Sequence, residues 1–485
     1  MNILIRGGDF VFSNKGARAV VRTSPEHFNV IEAVVANGVC VGCGTCAGVC
    51  PQACLQMRET PWGEYQPAMV GECSFCGLCI SVCPFSDVGP NEDDIAKALF
   101  AGEPGILYTP QTGYYQECYV GHVASDERRW ARTSGGLATW VLAELLRTGR
   151  VDHVACVNHH PDPSKLFQFA VADTEAEVWQ AATSCYYPVE MSQVLRRIDR
   201  SGGRYAIVAL PCYLKGLRKA LRAKPKLAAR IPVMIGLVCG QLRSKFLAEY
   251  LIRLAGGTPE RVQRVNFRAK RPDLPANENL FGYTESDAAG TRQGALLGSQ
   301  GYADAWAQGY FKINACNYCD DLFAEVGDAA FMDAWLPEYD CRPGGTNLVV
   351  ARSRLAQDVL AAGRDRDDIL LAPVAVSDLV RSQRGILAVK RQRLAERLFY
   401  AQGRGLVVPR KRVVAAVVRW AGRFQIAAEL RRVAASRIAF QRQKQAGPGL
   451  RVFYKQMKRL GRRDRLVIKA IPWLSKVKHL LKSGR

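Results

Sequence analysis

The chain has 485 residues, 48% of them hydrophobic, with 17 cysteines and a formal charge of +23. That length excludes a single small module and implies roughly two to four domains, each able to bury a core. No apolar run approaches the span of about eighteen residues that a membrane helix needs. The N-terminus lacks the apolar stretch of a secretory leader, so a cytoplasmic protein with reduced thiols is expected.

The charge is uneven. From Arg404 onward, 23 lysines and arginines face only Glu429 and Asp464, so this segment holds +21 and the rest of the chain +2.

Residues 1–30 read as an irregular, basic lead, with a helix from His27 to Asn37 stopped by Asn37-Gly38. Residues 31–95 carry the densest signal. Cys40, Cys43, Cys46 and Cys50 follow the pattern Cys-x2-Cys-x2-Cys-x3-Cys-Pro, and Cys73, Cys76, Cys79 and Cys83 repeat it. This is the spacing of bacterial two-cluster ferredoxins, in which the fourth cysteine of each run ligates the other cluster. Cys40, Cys43 and Cys46 with Cys83 are therefore candidate ligands of one [4Fe–4S] cluster. Cys73, Cys76 and Cys79 with Cys50 are candidates for a second. Structural zinc favours Cys-x2-Cys pairs with longer gaps, and disulfides between cysteines packed this densely would be strained. Gly42, Gly44, Thr45 and Gly77 are small enough to let the backbone wrap a cubane. Between the runs, ACLQMR and GEYQPAM alternate like a short hairpin. Cys54 reads as a core residue.

NEDDIAKALF begins a connecting helix in a linker over 91–115. An α/β body follows, divided at 115–190 and 191–360. CYVGHVAS, VDHVACVNHH, RYAIVALPC and PVMIGLVCG read as strands alternating with helices, which implies a largely parallel sheet. The fold class is α/β: an α+β ferredoxin-like module, the α/β body, then a basic helical tail over 361–485. In that tail, DDILLAPVAVSDLVRS and KRQRLAERLFYAQG read as helices. Basic amphipathic helices follow, interleaved with Trp420, Phe424, Phe440, Phe453, Tyr454 and Trp473. Such a tail suits an anionic membrane surface at the inner face of the membrane, or an acidic protein partner. Nucleic acid is disfavoured because no nucleic-acid motif accompanies the charge. The plain alternative is a set of helices docked on the body with their basic faces in solvent.

A second constellation lies outside the ferredoxin runs. Cys212 and Cys239 end two consecutive strands of parallel type, where open α/β sheets bind ligands. Cys316 and Cys319 form a separate pair. The four together could hold a third [4Fe–4S] cluster. Equally open is that Cys212 and Cys239 are ordinary buried cysteines and that Cys316 and Cys319 are an idle or zinc-binding pair. Ser134-Gly135-Gly136 opens a helix, and a glycine-bearing helix N-terminus suits a pyrophosphate, although Thr133 or Ser134 could simply cap it. Asn266, Arg268 and Lys270 could hold phosphate or an acidic substrate. No G-x-G-x-x-G is present. His153, His159 and His160 show no metal spacing, and no catalytic residue is legible.

Several pieces in order, TSGGLATWVLAELL (133–146), SCYYP (184–188), ALPCYLKGLRKAL (209–221), IGLVCGQLRSKFLAEYLI (235–252), RVNFRAK (264–270) and CNYCDDLFAEVGDAAFMDAW (316–335), resemble the coenzyme F-420 hydrogenase/dehydrogenase beta-subunit family of iron–sulfur flavoproteins. The resemblance runs over about residues 35 to 360. It implies FAD on the α/β body, exchanging a hydride with a deazaflavin-like or nicotinamide carrier. It implies clusters passing single electrons to or from a redox partner protein, with Cys212, Cys239, Cys316 and Cys319 as ligands of one of them. The chain departs from the family at Met332-Asp333-Ala334-Trp335, where Gly-Asp-x-Trp is common, and at Cys212-Tyr213, where Cys-Gln is common. The rival readings are a ferredoxin-type electron-transfer subunit without flavin, and a redox-sensing binding protein acting through its tail.

Overall fold

The computed structural model describes residues 4–6, 9–11, 29–181, 183–288 and 290–466. The readings at His27 and Trp473 fall outside these. In the lead, Leu4–Arg6 pairs with Asp9–Val11 as a short hairpin. Asn29 Oδ1 accepts from the Ile31 amide at 2.9 Å and opens a π-helical turn, Ile31–Val35, in place of a longer α-helix.

Each cysteine run turns into a short helix, α1 (Thr45–Val49) and α2 (Leu78–Ser81), begun by a left-handed glycine: Gly44 at φ 81° and Gly77 at φ 70°. The spacer forms the expected hairpin, β1 (Leu55–Glu59) with β2 (Tyr65–Met69). α3 (Glu92–Phe100) follows, opened by a reciprocal Asn91–Asp94 cap that satisfies two otherwise orphaned amides.

The body contributes β3 (Glu117–Val123), α4 (Leu137–Arg147), β4 (His153–His159), β5 (Phe167–Ala172), α5 (Ser192–Arg200), β6 (Tyr205–Ala209), α6 (Pro211–Ala223), β7 (Val233–Leu237) and α7 (Phe246–Leu254). A three-stranded meander interrupts it: β8 (Val262–Ala269), β9 (Leu280–Asp287) and β10 (Gly290–Leu297). β11 (Ala329–Asp333), β12 (Asn347–Ala351), α8 (Arg354–Asp365) and β13 (Ile369–Pro373) complete the body. The large sheet runs β13-β3-β12-β11-β7-β6-β4-β5. Its four central strands, β4, β6, β7 and β11, are parallel, as the strand–helix alternation implies. The outer strands pair antiparallel.

Alternation along the central strands feeds two cores. Ile207 and Ala209 face the core shared with Val41, Ala47 and Val82 of the cysteine-rich module, while Ala206, Val233 and Ile235 face the other. The module thus shares an apolar interior with the body, and burying each such large side chain contributes about 1.5–3 kcal/mol.

Three boundaries differ from the sequence reading. β6 stops at Ala209, and Pro211 opens α6, so Cys212 sits in the first turn of a helix. Proline suits that turn because its missing N–H has no helical partner there. Cys239 lies two residues beyond β7. The stretch DDILLAPVAVSDLVRS is not one helix: Ile369–Pro373 is an edge strand on β3, and helix begins only at Val376. The short apolar run found an open sheet edge, where proline is tolerated.

The described tail comprises α9 (Arg384–Lys390), α10 (Gln392–Gln402) and α11 (Trp420–Ala446), with further helix over 451–466. Phe440 and Phe453 are fully buried against Phe246, Tyr250 and Phe311. Many tail cations pair inward. Arg412 reaches Glu325 at 2.7 Å and Asp93 at 2.6 Å, Lys444 reaches Glu249 at 2.8 Å, and Arg437 bonds Glu64. Among the described residues no helix is long and apolar enough to cross a membrane.

Candidate functional site

The duplicated cysteine motif produces duplicated geometry. In the first run Gly42 is left-handed at φ 78°, and a Cβ there would lie 2.6 Å from the Tyr65 carbonyl oxygen. The matching residue of the second run is Phe75, left-handed at φ 53° and 52% exposed. A non-glycine residue held there costs about 1–2 kcal/mol. Its amide donates to Cys73 Sγ at 3.4 Å, as the Gly42 amide does to Cys40.

Cys40, Cys43, Cys46 and Cys83 converge beneath α1. Burial, and then their mutual proximity, pushes the thiols of Cys40, Cys46 and Cys83 up, Cys83 to about 12. Burial likewise pushes up Cys43, against the help of a Thr45 hydrogen bond. Cys50, Cys73, Cys76 and Cys79 line one surface cavity of about 380 Å³. Cys76 is exposed. Cys54 borders the same cavity, with its Sγ 3.5 Å from Cys50 Sγ, so it is a fifth thiol at this set as well as a core residue.

Cys212, Cys239, Cys316 and Cys319 also come together, beyond the carboxyl ends of the adjacent strands β6 and β7. Burial raises the Cys212 thiol well above the ordinary range, and Cys319, Cys239 and Cys316 add to it in that order. Cys316 Sγ accepts from the Leu242 amide at 3.2 Å, and Cys319 Sγ accepts from Lys390 Nζ at 3.0 Å.

All 17 cysteines are free thiols. Among the described residues no three His, Cys, Asp or Glu side chains converge as ligands of a single ion. A cubane stands its four thiolates apart around a cube, so wider sets of four buried sulfurs suit it. The donor chemistry agrees, since sulfur is the ligand such clusters take.

The first set neighbours both of the others. Cys43 lies within electrostatic reach of Cys212, and Cys79 within reach of Cys46.

The other candidate residues meet near the start of α4. Gly135 is packed so tightly that a Cβ would lie 2.7 Å from the Gly121 carbonyl oxygen and 2.9 Å from Asn347. Neither Thr133 nor Ser134 caps the helix. Gly136 is the left-handed N-cap, and Asn347 Oδ1, reaching from β12, accepts the Leu137 amide at 3.1 Å. Ser134 Oγ donates to the Thr346 carbonyl at 2.9 Å. Lys270 Nζ donates to the carbonyls of Gly344, Arg129 and Ser134 at 2.5, 2.6 and 2.7 Å. A register shift in β8 between Asn266 and Ala269 aims Arg268 at Asp333, at 2.6 Å, and over Trp335. Such bulges re-aim side chains. Asn266 Oδ1 accepts from the Arg268 amide at 3.0 Å.

Arg268 and Lys270 line an open cleft with Thr133, Arg271, Gly344 and Gly345. Ser134, Gly135, Gly136 and Asn266 do not line it. Burial lowers Lys270 to about 7, helped by the like charges of Arg129, Arg268 and Arg132, with Asp333 opposing. Arg132 Nε is buried without a partner. Cations crowded this way fit a phosphate or other anion, which would relieve their repulsion. Tyr186 lies within reach of Arg268, Asp333 and Cys239, so the cleft and the third thiol set are neighbours. Arg129 and Arg132 carried no sequence signal, because only long-range folding brings them to Lys270; Gly344 and Gly345 open the family-like stretch GGTNLVVARS (344–353).

Known proteins resemble the chain over its α/β body. A curated relative, the coenzyme F420-dependent sulfite reductase of Methanocaldococcus jannaschii, is 26% identical over 221 residues, covering 42% of this chain and 31% of that protein. The chain therefore spans less than a third of that relative's length. A chain of the F420-reducing [NiFe] hydrogenase complex from Methanosarcina barkeri matches over 60% of this chain and 94% of its own, at 15% identity and a TM-score of 0.46; no argument rests on that likeness. Residues 118–196 match the family model for the N-terminal part of the coenzyme F420 hydrogenase/dehydrogenase beta subunit, and residues 202–376 match that for its C terminus. The two matches together take in just over half of the 485 residues, and the chain belongs to the coenzyme F420 hydrogenase/dehydrogenase beta-subunit family of oxidoreductases.

Proposed function

We propose that the protein is a cytoplasmic iron–sulfur flavoprotein that exchanges a hydride, at an FAD held in the Lys270 cleft, with a two-electron carrier. The carrier is a deazaflavin such as coenzyme F420, or a nicotinamide. Single electrons then pass through [4Fe–4S] clusters held by the three thiol sets, to or from a redox partner protein. A bound flavin supplies the conversion of one two-electron transfer into two one-electron transfers, with the hydride's proton exchanged with solvent.

One observation carries the reading. The cleft adjoins Cys239 through Tyr186, Cys212 adjoins Cys43, Cys46 adjoins Cys79, and Cys76 reaches the surface. An isolated electron-transfer module has no need of a cationic cleft at one end of such a series of neighbours.

The chain's own residues serve this in named ways. Arg268 and Lys270 hold positive charge at the cleft for phosphate. Asp333 fixes Arg268 by their ion pair. The surface around Cys76, where Phe75, Met69 and Val70 are exposed, is the end open to a partner. Lys411 and Arg412 of the tail pair with Asp320, Glu325 and Asp93, so this part of the tail serves to fasten the module to the body.

The test is anaerobic mixing of the purified protein with a reduced deazaflavin or nicotinamide and no other protein. Bleaching of flavin absorbance followed by cluster reduction supports the proposal. Clusters that respond only to one-electron reductants, with no flavin band, support the flavin-free electron-transfer subunit instead.

A further inference from the structure

The third thiol set receives something the other two do not. Lys390, the last residue of α9, is buried to 3% exposure and lies beyond the matched family segment, which ends at residue 376. Its Nζ donates to Cys319 Sγ at 3.0 Å and to the Asp321 carbonyl at 2.6 Å. Among the described residues it makes no ion pair with a carboxylate. A buried ammonium is costly without compensating partners; Lys390 faces the sulfurs of Cys319, Cys239 and Cys316, with the Asp321 carboxylate also within electrostatic reach but not ion-paired to it.

The first set offers a contrast. Lys219 also approaches it, but its Nζ donates to the carbonyl oxygens of Cys83 and Val88 at 2.9 and 2.7 Å and to no sulfur. At the second set, the Cys73 sulfur accepts from the neutral amide of Phe75.

We propose that Lys390 is a positioning residue that raises the reduction potential of a cluster held by Cys212, Cys239, Cys316 and Cys319. A reduced cluster carries one more negative charge than an oxidised one. A fixed positive charge with an N–H on a ligand sulfur therefore stabilises the reduced state more, and hydrogen bonds to the sulfurs and net charge are known determinants of such potentials. The effect belongs to one set, because Lys390 faces no sulfur of the other two. The proposal rests on the three-cluster reading above.

The test is an anaerobic redox titration of the full-length holoprotein, followed by electron paramagnetic resonance. Wild type, K390Q and K390R are compared, with Cys239→Ala identifying the signal of the third site. K390Q should shift that midpoint to lower potential by at least a tenfold change in the oxidised-to-reduced ratio, which is 59 mV for a one-electron couple. K390R, which keeps charge and donor, should stay closer to wild type, and the other two midpoints should not move. An unmoved midpoint in K390Q, an equal shift in K390R, a shift of all three clusters, or loss of the third cluster from K390Q overturns the proposal. Iron analysis keeps the two readings apart. Wild type with about eight irons removes the third cluster itself, and this proposal falls with it. About twelve irons with an unmoved K390Q midpoint leaves the cluster reading standing and overturns only the role of Lys390.

Discussion

A Cβ on Gly216 would lie 3.0 Å from Thr45 Oγ1. Gly216 sits inside α6, the helix whose first turn carries Cys212, and Thr45 begins α1, between Cys43 and Cys46. This bare spot on α6 is what lets the two helices approach, and with them the first and third thiol sets. Glycine inside a helix ordinarily costs about 0.5–1 kcal/mol relative to alanine, so its place here follows from the contact. Gly216→Val should destabilise the fold by about 1–3 kcal/mol through overpacking. It should also slow electron transfer between the cleft and the ferredoxin module. Chemical denaturation and stopped-flow absorbance measure the two effects separately.

Lys270 gives the cleft a pH signature. An unfolded lysine titrates near about 10.4, whereas folding lowers this one to about 7. Between those values the unfolded chain holds a proton that the folded chain has released. Stability therefore rises with pH across that window, and the penalty is full below it. Lys270→Met should flatten that rise. An anion in the cleft favours the protonated lysine, so FAD affinity should fall above pH 7, by at most about tenfold per unit. Lys270→Met should remove that slope. Titration of the flavin-free protein with FAD over this pH range, read by fluorescence, checks both statements.

The tail has a measurable role in holding the molecule together. Glu325 has only 2% of its side chain exposed and faces Arg412 at 2.7 Å. Removing one partner of such a pair costs at most about 3–5 kcal/mol, and less here because Arg391 stays 3.5 Å from Glu325. Arg412→Met should lose stability within that bound, while the double variant with Glu325→Gln should recover part of it. Denaturant unfolding of the four proteins of this cycle gives the answer.

How much of this was readable from the sequence follows from range. The two cysteine groupings were legible because three of each four lie in one short run, and left-handed Gly44 and Gly77 fall inside those runs. The parallel centre of the sheet was legible from strand–helix alternation. The third set was only half legible. Cys212 and Cys239 could be placed near strand ends, but the approach of Cys316 and Cys319 depends on the loop before β11. Lys390 and Arg412 were invisible, because each acts on residues far away in the chain. Ile369–Pro373 was misread as helix because a short apolar run has no period of its own, and an open sheet edge decided it.

Cys54 separates ligand from neighbour. It stands 3.5 Å from Cys50, and burial with the adjoining Cys50 and Cys73 pushes its thiol up to about 12. The ferredoxin spacing assigns the ligand role to Cys50. Cys54→Ala should leave iron content unchanged, whereas Cys50→Ala should lower the content or stability of the second cluster. Iron and labile sulfide assays on the two variants decide between them.

A flavin and three clusters on one chain give a stoichiometry that can be counted. The protein should be purified anaerobically and assayed for iron, labile sulfide and flavin per chain. About twelve irons, matching sulfide and one FAD are predicted. About eight irons without flavin would contradict the account, leaving a two-cluster ferredoxin module on a body whose remaining thiols serve structure alone.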